Sequence, residues 1–166
     1  MNVLEHVLYN RWATRRTLQT VGALTPEERD RDLKSSYGGV RGTLVHIYQA
    51  DRIWFARLQG EPTTSLAVFA PPQEWDAFVE DWNGVLDRFV AWAEKLDDVG
   101  WRRVVDYRDS KGNPYQTPVY QILLHLTNHN SYHRGQVTAF LRQLGHVPAA
   151  QDLIMYYRER ASSRSA

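Results

Sequence analysis

Apolar residues recur every three or four positions over four long stretches of the chain, the period of a helix with one face turned inward. The first runs from about residue 2 to 22. Val3, Val7, Asn10, Thr14, Leu18 and Val21 share one broad face there, flanked by Leu4, Leu8 and Trp12, with Arg11, Arg15 and Arg16 elsewhere. Gly22 supplies a stop. Thr25-Pro26-Glu27-Glu28 then carries a capping-box signature, with Thr25 before the first helical residue and Glu28 three positions on.

The second stretch, about 39–59, is apolar around much of its circumference through Leu44, Ile47, Tyr48, Ile53, Trp54, Phe55 and Leu58, which predicts an inner helix ended by Gly60. A proline-bearing loop is expected over 61–72. The third helix spans about 73–96, with Trp75, Phe78, Val79, Trp82, Leu86, Phe89, Val90 and Ala93 on one face. The period then changes. WRRVVDY and PYQTP read as two extended segments around a turn at Lys111-Gly112-Asn113, a small hairpin.

The fourth stretch, from Pro118 to Gly145, has a stripe of Val119, Ile122, Leu126, Val137, Phe140 and Leu144. One gap interrupts it, and His129 and His133 fill that gap. Both imidazoles therefore head toward the core, and two histidines at i and i+4 can share one metal ion. His125 continues the spacing but falls at the stripe's edge, suited to a pocket rim. After this helix a short apolar piece, Leu153 to Tyr157, precedes a Ser/Arg end read as frayed over 161–166, with Arg158, Arg160 and Arg164 in solvent. The pattern predicts one all-α domain over 1–160, a four-helix bundle with a small β-hairpin before the last long helix.

Composition narrows the chemistry. There is no cysteine, so the chain offers no disulfide and no thiol, and a metal must rest on imidazole or carboxylate. A net charge of +1 and a pI of about 8.1 give no basic surface for nucleic acid. No apolar run approaches a membrane span, and the N-terminus lacks a signal-peptide layout, so a cytoplasmic protein is expected. On residue pattern alone the third ligand stays open among His46, Asp51 and Asp152. Asn130 follows His129, so the Glu of an H-E-x-x-H protease helix is missing. Gly135 inside the helix suggests close approach of a neighbour, and Arg134 is a candidate for binding a cofactor carboxylate or phosphate, or for an interhelical salt bridge. Asn128 and Gln136 are candidates for orienting the imidazoles.

The segments LYNRWA, RGTLVHIYQADRIW, HLTNHNSYHRGQ and PAAQDLIMYYRE together resemble the DinB/YfiT family, small metal-binding four-helix bundles distinct from the DNA polymerase of similar name. The resemblance covers nearly the whole chain. It implies an up-down-down-up bundle, often a homodimer, with a divalent ion such as zinc or nickel held by His46, His129 and His133. Three neutral imidazoles leave an open coordination position. The resemblance further implies a thiol transferase using a low-molecular-weight thiol such as bacillithiol or mycothiol on a small-molecule electrophile. A non-catalytic metal-binding or stress-response protein and a metal-dependent hydrolase are the competing readings.

Overall fold

In a computed structural model the described residues are 2–63 and 65–164. Their long helices follow the hydrophobic pattern closely. Helix α1 spans Val3–Gly22, α3 Val40–Leu58, α4 Trp75–Ala93 and α6 Val119–Gln143. The face expected of α1 is the buried one, Asn10 and Thr14 included. Short helix α2 (Pro26–Asp30) carries the full capping box: Glu28 N–H donates to Thr25 Oγ1 at 3.2 Å and Thr25 N–H to Glu28 Oε2 at 3.0 Å. Strands β1 (Val104–Arg108) and β2 (Pro114–Pro118) pair antiparallel, Val104 opposite Pro118 and Arg108 opposite Pro114. Gly112 takes the left-handed turn position between them (φ 85°). Pro118 ends β2 and caps α6 at once, so the hairpin leads straight into the long helix.

The structure differs from the sequence pattern in three places. Trp101 and Arg102 belong to a helical turn, α5 (Asp98–Arg102), because Asp97 accepts from the Gly100 N–H at 2.7 Å and starts it. The proline loop holds a 3-10 turn, Leu66–Phe69. Helix α7 extends over Leu153–Arg164, through most of the segment expected to fray; residues 165 and 166 lie outside the described residues. Contacts to α1 hold α7 in place. Tyr156 packs against Tyr9 and Trp12, Glu159 accepts from Trp12 Nε1 and Arg16, and Arg160 donates to Glu5 rather than to solvent.

The core falls into two apolar clusters. One gathers Leu18, Leu44, Ile47, Phe78, Trp82 and Val137; the other gathers Val7, Leu58, Phe89, Val119, Ile122 and Leu126. Helix α6 contributes residues 119–126 to one and 137–141 to the other, so its polar segment lies between them. Asn10 and Thr14 of α1, Asp51 of α3, and Asn130, His133 and Arg134 of α6 are buried here. The gap in the α6 stripe is one edge of this buried polar layer.

Candidate metal centre

Helices α3 and α6 pack together and bring His46 to His129 and His133 across 83 residues of chain. One ring nitrogen from each of the three lies within 4.8 Å of the others. The Nε2 atoms of His46 and His129 are 3.1 Å apart, and the ring of His133 is 4.5 Å from that of His129, centre to centre.

The hydrogen bonds on the far sides of the rings decide which nitrogens are available. His133 Nδ1 is 2.8 Å from Gln136 Oε1, and an amide oxygen only accepts, so the proton sits on Nδ1 and the Nε2 lone pair is free. His129 Nδ1 is 3.2 Å from Asn130 Oδ1. The orientation of that amide is itself set, because Asn130 Nδ2 donates to Asp51 Oδ1 at 2.8 Å. Asp51 also accepts from Trp82 Nε1 at 2.9 Å. A buried chain of Trp82, Asp51, Asn130 and His129 thus aims one imidazole from the middle of the core.

Electrostatics favour the neutral form of His46 and His129. Burial pushes His46 down to about 4, and the nearby His129 and His133 rings add to the effect. His129 is also held below the ordinary range, first by burial and then by His133 and His125, with Asn130 opposing. Two neutral imidazoles with Nε2 atoms 3.1 Å apart either share a proton or hold a cation between them. Nitrogens on one tetrahedral zinc ion at 2.0–2.1 Å stand about 3.3 Å apart, so the donor set fits such an ion with small adjustment.

The other sequence candidates take different places. Arg134 is 1% exposed, donates to Asn10 Oδ1, Thr14 Oγ1 and Ser131 Oγ, and lies over the Tyr9 ring. It braces α6 against α1 from a buried position. This is not a salt bridge, since its partners are uncharged. Gly135 is exposed, and a Cβ added there would meet nothing within 4 Å, so no neighbour approaches it closely. Of the two orienting candidates, Gln136 acts as expected. Asn128 is exposed, and Asn130 holds the second ring instead. Asp51 supports the site through Asn130. His125 stands at the rim, 5.5 Å from Trp54 and 5.7 Å from His129, ring centre to ring centre. His146 bonds Glu28 at the edge of α2.

Tyr37 was not singled out by the sequence. The loop before α3 lays its ring on His46, centroids 4.1 Å apart and 14° from parallel, with the hydroxyl 3.2 Å from His46 Nε2. A cleft of about 350 Å³ has His46 and His129 in its lining together with Trp54, Arg57, Tyr107 and Asp109. Three larger cavities, about 780, 790 and 550 Å³, lie at the hairpin, near the N-terminus and between α1 and α7, and no histidine lines them.

A mostly helical fold with a hairpin before its last long helix, and three imidazoles from two helices placed to hold an ion, define a class of small histidine-site helical proteins. Within that class, a model of the DinB family matches residues 1–163, and the chain belongs to this family. Protein DinB of Bacillus subtilis (strain 168) is 24% identical over 153 residues, 89% of each chain. The crystal structure of a DinB-like protein from Bacillus cereus ATCC 10987 aligns with a TM-score of 0.67 at 23% identity, covering 89% of this chain and 95% of that one. The likeness to that structure is one of fold.

Proposed function

We propose that this protein binds a divalent metal ion, zinc or nickel, at His46, His129 and His133, and uses it to activate a low-molecular-weight thiol for transfer to an electrophile. The observation that carries the reading is the convergence of three imidazoles with the Nδ1 protons of two fixed by Gln136 and Asn130. Such an ion would supply a positive charge that stabilises the anion of a group in its open position. The chain's own part is to present three imidazole nitrogens, to shelter them between α3 and α6, and to offer a cleft for the rest of the ligand. In the transfer the thiol gives up its proton to solvent. Its sulfur lone pair forms the new S–C bond, and the leaving group departs with the electron pair of the bond that breaks. With no cysteine of its own, the protein must take the thiol from outside.

Metal analysis of the purified protein against a His129→Ala, His133→Ala variant tests the site: the wild type is expected to hold stoichiometric metal and the variant close to none. Equal metal content in both would overturn it. Conjugation assays of the metal-loaded protein with bacillithiol, mycothiol and glutathione on a common electrophile test the reaction. Absence of turnover with all three would return the protein to a binding role, and ester cleavage without thiol would point to hydrolysis.

A further inference from the structure

The cleft beside the histidines contains a second chemical feature. Arg57 is only 7% exposed, yet no carboxylate pairs with it in any salt bridge among the described residues. Its guanidinium lies over the rings of Trp54 and Tyr107, at 4.8 and 4.9 Å. Nε donates to the Thr63 carbonyl at 3.3 Å and Nη2 to the Arg108 carbonyl at 2.8 Å. Nη1 has no partner among the described residues. A guanidinium has five N–H donors in a fixed fork, and a buried charge with no directly bonded counter-ion is costly. The residue lines the same cleft as His46 and His129.

Asp109 is the one carboxylate in that lining, and its oxygens already serve the hairpin turn. They accept from Lys111 N–H at 2.8 Å, Asn113 N–H at 2.9 Å and Asn113 Nδ2 at 3.0 Å. It shapes the turn and favours the Arg57 cation only through space, with no hydrogen bond to the Nη1 edge among the described residues.

We infer that Arg57 is the oxyanion-binding end of this cleft, so that the ligand is a small anionic molecule whose carboxylate or phosphate meets the guanidinium while its other end reaches the histidines. Eleven residues of one helix separate His46 from Arg57, about 16 Å of axial rise. Both side chains lean toward the N-terminus and the arginine is the longer, so the guanidinium and the imidazole stand somewhat less than that rise apart along the same helix. That length suits a tripeptide-sized or pantetheine-sized ligand. Trp54 and Tyr107 exclude water from the guanidinium, which strengthens a charge-assisted bond to an oxyanion.

The inference rests on the proposed function in taking the histidines and the cleft to serve one ligand, and its test separates the two. Binding to the zinc-loaded protein is measured by calorimetry for four thiols: glutathione, its diethyl ester, 4′-phosphopantetheine and pantetheine. S-methylglutathione and its diethyl ester form a fifth and sixth arm without a free thiol. The member that keeps its carboxylate or phosphate is expected to bind at least tenfold more tightly than the counterpart that lacks it, and Arg57→Gln should abolish that preference while Arg57→Lys keeps part of it. Preference within the glutathione pair assigns a carboxylate, and within the pantetheine pair a phosphate. Equal affinity of the members with and without the oxyanion in the wild type, or no binding of any of the six, overturns the subsite. A preference confined to the S-methyl pair retains the subsite and counts against the thiol. Because Arg57 also ties two backbone carbonyls, the ester comparison in the wild type decides the matter even where the variants fold poorly.

Discussion

At the scale of single residues, Asn130 has the largest leverage for its size. It joins Asp51, the one buried carboxylate among the described residues, to a histidine of the candidate metal centre, and both of its amide ends are used. Replacing it with alanine removes the acceptor that fixes the His129 tautomer. It also takes one of two donors from buried Asp51, at a cost of about 1–3 kcal/mol in stability. Zinc affinity of Asn130→Ala, measured by chelator competition, is expected to fall about 10–100-fold, the usual effect of losing such an outer hydrogen bond. An unchanged affinity would show that the ring needs no such support. The sequence displayed His129 and His133 because both lie on one helix, where spacing fixes direction. His46 was ambiguous by periodicity, since a helix apolar nearly all round has no single inward heading, and it was named through the family resemblance. Asn130 and Asp51 were missed as orienting groups because their bond crosses between helices 79 residues apart in sequence.

At the scale of elements, two helical glycines have opposite meanings. Gly135 sits in α6 with open space where a Cβ would go. Gly42 sits in the first turn of α3, where an added Cβ would fall 1.8 Å from the Tyr37 carbonyl oxygen, an impossible approach to backbone. Alanine favours a helix interior over glycine by about 1 kcal/mol. Gly135→Ala is therefore expected to raise the thermal midpoint and Gly42→Ala to lower it, both read by circular dichroism on melting. The second change also pushes away the loop that lays Tyr37 on His46. Sequence pattern treats both glycines alike, because what distinguishes them is the path of a loop. The long helices were legible since each carries five or more apolar repeats. Helix α5 is a single turn, too short for periodicity, and α7 owes its length to contacts with α1 rather than to an apolar stripe of its own.

For the molecule as a whole, acid is the natural stress. In the unfolded chain the histidines take up protons near 6.5, whereas in the fold His46 resists until about 4 and His129 is shifted the same way. The unfolded state therefore binds more protons on these groups between those limits, and they draw stability down as pH falls from 6.5 toward 4. Asp51 works in the opposite sense. Burial raises its carboxyl to about 6 from an ordinary 3.8, so its contribution is present at low pH and fades as pH climbs through 6. Melting of the metal-free protein from pH 4 to 7 is expected to show an acid-side loss that shrinks in His46→Gln. A His46→Gln profile parallel to the wild type would mean that the ring is already protonated in the fold.

The placement of the three histidines has a mechanical consequence. Helices α3 and α6 are remote in sequence, and a bond between His46 and His129 closes a loop of 83 residues. Closing so long a loop in the unfolded chain carries a substantial entropic cost, which is how a crosslink stabilises a fold. A protein with no cysteine cannot make that link covalently. An ion held across the two helices is a reversible staple, and its contribution grows with the free ion concentration, reaching about 2.7 kcal/mol at one hundred times the dissociation constant. An ion held there would tie the stability of this fold to the metal supply around it, in the way a disulfide ties other folds to the redox state of their surroundings.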